Sequence, residues 1–203
     1  MYSHFFKRLL DFFCAFIAMP FVLIVVAIFA PIIYFTDRGP IFYNAQRAGR
    51  NGKTFKMFKF RSMYVNAPDL RNADGSTFNA EDDPRVTLIG KIMRKTSIDE
   101  LPQLLNVLIG DMSFVGPRPT LPGLEYEKYD DVRKKRASVR PGITGYAQAY
   151  YRNSITQEEK FRYDCEYVDK ISFLLDMRVL IKTFVSVLGH KNIFVEQNTL
   201  SHK

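Results

Sequence analysis

The chain has 203 residues, enough for one compact domain or for a membrane segment plus one such domain, and too few for two large soluble domains. Lys+Arg 29 against Asp+Glu 21 gives a formal net charge of +8, which favours an anionic partner: a phosphorylated small molecule, nucleic acid or an acidic membrane surface. Cys14 and Cys165 stand far apart, in spacings that suit neither a metal site nor a redox pair, which points to a reducing, cytosol-facing domain.

The apolar residues concentrate at the N-terminus. From Leu9 to Phe35 only Asp11 and Cys14 interrupt the run FFCAFIAMPFVLIVVAIFAPIIYF, which is long enough to be a membrane segment. It is too long for a cleaved signal peptide, and no small-x-small site follows it. Lys7 and Arg8 precede it while Arg38, Arg47, Arg50, Lys53, Lys56, Lys59 and Arg61 follow, so the positive-inside rule gives no winner. Pro20 falls near its middle and forces a bend or break. An ordinary kinked spanning helix and a helix that enters and leaves by one face both satisfy the pattern.

After a turn at Thr36–Pro40, the stretch IFYNAQRAGRNGKTFKMFKFRSM reads as two strands around a Gly-rich basic hairpin at Ala48–Lys53. Lys59 and Arg61, two apart on a strand, are expected on one side. NAPDLRNADGSTFNAEDDPRVT reads as a mobile surface loop. LIGKIMRKTS predicts a short helix and SIDELPQLLNVLIG another, with Leu101, Leu104, Leu105 and Leu108 at helical spacing and Gly110 as its stop. Its start has two registers: Ser97 and Glu100 have the capping-box spacing, whereas a cap at Asp99 leaves Pro102 where no donor is needed. In either register Asp99 lies in the first turn, where the helix dipole favours its ionised form.

DMSFVGPRP predicts a strand entering a rigid corner, LEYEKYDDVRKKRASV an amphipathic helix, and RPGITGYAQAY a glycine turn leading into a strand. ITQEEKFRYDCEYVDK puts Phe161, Cys165 and Val168 on one helical face beside Asp164. SFLLDMRVLIKTFVSVLG, interrupted by Asp176, Arg178 and Lys182, predicts a core or membrane-surface helix.

Adjacent helical residues project about 100° apart, so Asp99 and Glu100 do not form a side-by-side acid pair, yet both reach a site at the helix mouth. One carboxylate could attack a phosphate while the other holds a cation that offsets the like-charge repulsion, and Mg²⁺ suits that pairing. Arg118, fixed between Pro117 and Pro119, loses little freedom on gripping a phosphate or a base.

The succession of a proline-broken apolar segment, KFRSM, SIDELPQLLNVLIGDMSFVGPRP, RPGITGYAQ and LLDMR resembles the bacterial sugar transferase family, the small monotopic phosphoglycosyl transferases, over nearly the whole chain. The resemblance implies that Asp99 is the nucleophile on a UDP-sugar, releasing UMP, and that a polyprenyl (undecaprenyl) phosphate collects the phosphosugar in a ping-pong scheme. It implies Glu100 as a partner of Asp99 in holding Mg²⁺, Arg118 at the nucleotide end, and Lys59, Arg61 and Arg94 as phosphate contacts. It makes the anchor a re-entrant helix-break-helix with Pro20 at the break, where Met19 replaces the serine frequent in the family.

The expected architecture is α/β of the α+β kind, mostly helical. It comprises a membrane anchor over 1–36, a cytosolic catalytic domain over 37–190 with amphipathic membrane-surface helices and a small sheet, and a tail over 191–203. The expected setting is the cytoplasmic face of a bacterial plasma membrane, with both termini on that face, the lipid bilayer as a partner, a possible homodimer and no nucleic acid. The rivals are a membrane-tethered nucleic-acid binder, which gives the carboxylates no role, and a non-catalytic scaffold of a glycan pathway.

Overall fold

The computed structural model describes residues 2–70, 80, 82–123, 125–152 and 154–189. A π-helical turn, Tyr2–Phe6, leads into one long helix, α1 (Lys7–Asp37). Then come the strands β1 (Ala45–Ala48) and β2 (Thr54–Met57), the helices α2 (Leu88–Thr96) and α3 (Gln103–Ile109), and the strand β3 (Ser113–Val115). The chain continues with α4 (Asp131–Ala137), β4 (Gly142–Thr144), α5 (Tyr146–Tyr150), α6 (Gln157–Asp169) and α7 (Phe173–Leu188). β1 and β2 form an antiparallel hairpin in which Ala45 faces Met57 and Ala48 faces Thr54. β3 and β4 pair in parallel, Ser113 beside Gly142 and Val115 beside Thr144. The fold is mostly helical α+β, as the sequence predicts.

The break expected at Pro20 does not divide the N-terminal segment. α1 runs as a single helix through both Pro20 and Pro31. A proline removes one intrahelical donor and crowds the preceding turn, a strain that one helix absorbs while its neighbours stay helical. Asp11, Ala15, Val22, Val25 and Ile33 form a buried stripe along it, whereas Phe13, Phe16, Ile17, Phe21, Leu23 and Ile24 are exposed. Ala15 and Val22 join Phe55, Met57, Leu104, Val107 and Met112 in one core cluster, and Val25 and Ile33 join Phe60 and Met93 in a second. A third cluster unites Val115, Ala149, Tyr167 and Val179.

Both ends of α1 are fastened to the same globular body. Near its start, Arg8 donates to Val107 O at 2.5 Å and to Leu108 O at 2.9 Å. At its end, the Asp37 carboxylate accepts from Arg61 Nη1 at 2.5 Å and from Val65 N at 2.9 Å.

Two local expectations are corrected. YAQAY is the helix α5, not a strand: its alternating Ala147 and Ala149 are both buried where the helix packs against α6 and α7. The start of α3 follows neither predicted register. Ser97 is left-handed (φ 59°), ends α2 and caps nothing with its side chain, and a separate 3₁₀ turn, Ile98–Glu100, carries the carboxylates before Pro102 opens α3. Of the loop predicted to be mobile, residues 71–79 and 81 lie outside the described residues, and its far end is pinned by the buried Asp83–Arg85 ion pair. The predicted tail, 191–203, also lies outside the described residues.

Candidate active site

The chain segment after β2 delivers Lys59, and the 3₁₀ turn before α3 delivers Asp99 and Glu100. One side chain sets them in register. Asn106, fully buried in α3, accepts from Phe58 N at 2.9 Å through Oδ1 and donates to Lys56 O at 2.8 Å through Nδ2. On the other side of Lys59, Phe60 N donates to the main-chain oxygen of Asp99 at 3.0 Å. The Lys59 ammonium is thereby held 2.7 Å from Asp99 Oδ2 and 3.4 Å from Glu100 Oε1. The two carboxylates, although they leave the turn in different directions, converge on one cation.

Arg118 closes the site from a corner clamped to β4. Gly116 N donates to Thr144 O at 2.9 Å and Gly142 N to Pro117 O at 3.0 Å. The backbones are in such close contact that a Cβ on Gly142 would lie 2.2 Å from Gly116 N, so only glycine fits. Beneath the corner, Arg136 of α4 donates to Asp164 Oδ2 of α6 through Nε at 3.0 Å and Nη2 at 2.8 Å, with its guanidinium 3.9 Å above the Phe161 ring. Nη2 also donates to Arg118 O at 3.0 Å. The Arg118 backbone is fixed while its side chain stays open to solvent, with Nη1 donating to Gln148 Oε1 at 3.2 Å and Nη2 3.7 Å from Glu100 Oε1.

The remaining expected contacts divide. Arg94 of α2 lines the same groove and donates through Nε to Ser62 Oγ at 3.0 Å. Arg61 also lines the groove, but its guanidinium is committed to other acceptors: besides Asp37 it donates through Nε to Pro40 O at 2.5 Å, and it is buried. β2 ends at Met57, so Lys59 and Arg61 lie beyond the strand and the two-residue alternation does not govern them. Pro20 sits mid-helix in α1 and does not line the groove.

The dyad and Arg118 border an open groove of about 1650 Å³, whose other walls come from α4, α5, α6 and α7. Burial pushes the Asp99 carboxyl up and Glu100 adds to that, against the opposing charges of Lys59 and Arg94. The dipole advantage expected from the sequence is thus outweighed by desolvation. For Glu100, burial acts upward but Lys59 and Arg118 prevail and hold it below the usual carboxylate range. Burial would lower Lys59, yet Asp99 and Glu100 carry it above the ordinary lysine value. The result is a persistent ammonium between two carboxylates in a partly dry site.

Among the described residues, no three His, Cys, Asp or Glu side chains gather around one point. A cation here would therefore be held by two carboxylates and by oxygens of a substrate. Lys59 engages one oxygen of each carboxylate, leaving each a second oxygen with which to ligate.

The chain matches the bacterial sugar transferase family over residues 2–190 and belongs to it. It is 44% identical over 196 residues to the galactosyl transferase CpsE of Streptococcus agalactiae, covering 92% of this chain and 43% of that one. It is 40% identical over 188 residues to the uncharacterized sugar transferase EpsL of Bacillus subtilis, covering 92% of this chain and 89% of that one. It is 40% identical over 163 residues to the UDP-glucose:undecaprenyl-phosphate glucose-1-phosphate transferase of Xanthomonas campestris pv. campestris, covering 77% of this chain and 33% of that one. The chain therefore spans less than half of CpsE and of the Xanthomonas protein, and most of EpsL.

Proposed function

We propose that this chain transfers a phosphosugar from a UDP-sugar to a membrane polyprenyl phosphate by two displacements at one carboxylate. The observation that carries the reading is the buried Asp99, held 2.7 Å from Lys59 beside Glu100 in a groove bordered by arginine. The printed name of the Xanthomonas relative supports both the donor and the acceptor class.

An Asp99 oxygen attacks the sugar-side phosphorus. The bond from that phosphorus to the bridging oxygen breaks, and UMP leaves with the oxygen. An oxygen of the polyprenyl phosphate then attacks the same phosphorus, the bond to Asp99 breaks, and the carboxylate is regenerated with polyprenyl-diphosphate-sugar as product. Lys59 aims Asp99 and balances its charge, while Arg118 and Arg94 offer guanidinium groups to the phosphates. Asp99 and Glu100 would hold Mg²⁺, which when bound supplies the positive charge that lets an anionic nucleophile approach an anionic phosphate.

Attachment to one face of the bilayer fits the same task. A water-soluble donor and a lipid phosphate meet only at the membrane surface, and α1 presents an apolar outer face while both its ends hold to one body. A helix so fastened cannot cross the bilayer with its ends on opposite sides. We place that body on the cytoplasmic face of a bacterial plasma membrane.

Intact-protein mass spectrometry in nanodiscs, with Mg²⁺, a panel of UDP-sugars and no lipid acceptor, tests the reading. A phosphosugar-sized gain in wild type that is absent from Asp99→Asn supports it. No gain with any donor, together with undiminished glycan assembly by Asp99→Asn, overturns it.

A further inference from the structure

At the end of α3 opposite the dyad, three guanidinium groups meet around a small cavity. Arg8 arrives from α1 and donates to Val107 O and Leu108 O, and Arg140, just before β4, donates through Nε to Gly110 O at 2.8 Å. Both satisfy carbonyls left open at a helix C-terminus. Arg50 reaches the same cavity from the turn between β1 and β2, its Nε donating to Ser138 O at 3.1 Å. The terminal nitrogens of Arg50 and Arg140 have no protein acceptor among the described residues.

The opposing charge is small. Lys7 also lines the cavity but is paired with Asp176 at 2.6 Å. Asp11 is the one carboxylate in the lining, and its Oδ1 accepts from Phe114 N at 3.2 Å. Two half-buried guanidinium groups, those of Arg8 and Arg140, and the exposed one of Arg50 therefore surround one carboxylate. Burial first, then the neighbouring Arg8 and Arg50, push the Arg140 guanidinium down, with only Asp11 opposing. Like charges gathered out of water cost free energy unless an anion joins them. Planar guanidinium forks match phosphate oxygens. Close by in the chain, exposed Leu9, Leu10 and Phe13 of α1 and Ile109 of α3 give apolar surface, so the cavity borders the proposed lipid-facing side.

We propose that this cavity is a second phosphate-binding site, apart from the groove, formed by Arg8, Arg50 and Arg140. Its ligand chemistry is a phosphate group, carried either by an anionic phospholipid headgroup or by a free phosphate. Bound there, the anion bridges α1, the β1–β2 turn and the approach to β4, and it neutralises the far end of the helix that follows the dyad.

Four full-length proteins in detergent test this: wild type, Arg50→Gln, Arg140→Gln and a charge control, Lys134→Gln, at an exposed residue of α4. Native mass spectrometry after exposure to phosphatidylglycerol reads lipid retention, and melting with and without inorganic phosphate reads the free anion. Wild type and Lys134→Gln should retain phosphatidylglycerol about tenfold or more above Arg50→Gln and Arg140→Gln. If only the free anion binds, phosphate should raise the melting temperature of wild type and Lys134→Gln by more than that of the two arginine variants, in which the groove alone is left to bind it. Arg140→Gln also removes a cap on α3, whereas Arg50→Gln removes only a contact to the exposed Ser138 carbonyl, so it separates binding from folding. Equal retention in all four proteins together with an equal or absent phosphate-dependent shift, or an equal loss in Lys134→Gln, overturns the proposal. Neither readout requires turnover, so the outcome is independent of the reaction at Asp99.

Discussion

The guanidinium of Arg136 donates to the main-chain oxygen of Arg118 at 3.0 Å while its other bonds run to Asp164. An exposed arginine that grips a phosphate in the proposed reaction is thus supported from below by a buried one. Breaking such a buried pair costs about 3–5 kcal/mol. Arg136→Gln should lower the melting temperature and raise the donor KM more than it lowers kcat. Arg136→Lys, which keeps the charge but cannot serve Asp164, Phe161 and Arg118 together, should recover part of the stability and little of the KM. Equal KM values in all three proteins would remove the positioning role.

Asn106 leads to a second expectation. Replacing it by Leu takes the side-chain partner from Phe58 N and Lys56 O at a part-buried position, at up to about 1–3 kcal/mol for each group. Because both groups lie just before Lys59 in the chain, the variant should slow formation of the phosphosugar adduct as well as destabilise the fold. Asn106→Asp, which still accepts from Phe58 N but cannot donate to Lys56 O, should fall between. Stopped-time mass spectrometry of the adduct, alongside thermal melting, checks both effects.

The pH dependence of adduct formation should report Asp99. Its pKa is raised from 3.8, so the proposed nucleophile is ionised above that raised value and is lost as pH falls through it. Lys59 is one of the charges that hold it down. In Lys59→Met, burial and Glu100 are left with less opposition, and the acid limb should move to higher pH; in Glu100→Gln, which removes an upward influence, it should move lower. An acid limb unchanged in both variants would show that another group controls it.

Arg61 should behave as a structural residue. Arg61→Gln breaks the tie to Asp37, a charge-assisted bond worth about 1.5–3 kcal/mol, and should lower stability without changing the donor KM. The sign with pH follows from Asp37, whose pKa Arg61 holds below 3.8: the stabilisation is present above that value and is lost as pH falls through the depressed one. Acid melting of wild type against Arg61→Gln should therefore converge at low pH. A raised donor KM in this variant would restore Arg61 to the phosphate contacts.

What was legible in the sequence were local signals. The hairpin around Ala48–Lys53, the helix α2 and the pairing of Asp99 with Glu100 are written in neighbouring residues, and the G-P-R-P corner reads directly as rigid. What stayed hidden depends on distant partners. Asn106 looks like an ordinary helix residue until the segment after β2 is laid against it, and Arg136 sits in a run of basic residues whose other members are mostly exposed. The ion pair of Arg61 with Asp37 is hidden in the same way, since its partner lies at the far end of α1, and α5 is hidden because an alternating pattern of tyrosine and alanine imitates a strand over five residues.

The buried stripe of α1 bears on how this protein is made and handled. Ala15, Val22, Val25 and Ile33 are walls of the same cores that contain Phe55, Met57, Phe60, Met93 and Leu104. Deleting the segment to obtain a soluble enzyme would leave those partners facing water, at about 1.5–3 kcal/mol for each large side chain uncovered. Exchanging it for a generic tether would do the same. The globular body can complete its interior only once α1 is seated against it, so on the proposed placement at a membrane, insertion and folding become parts of one event, with the lipid on one side of a helix and the protein core on the other.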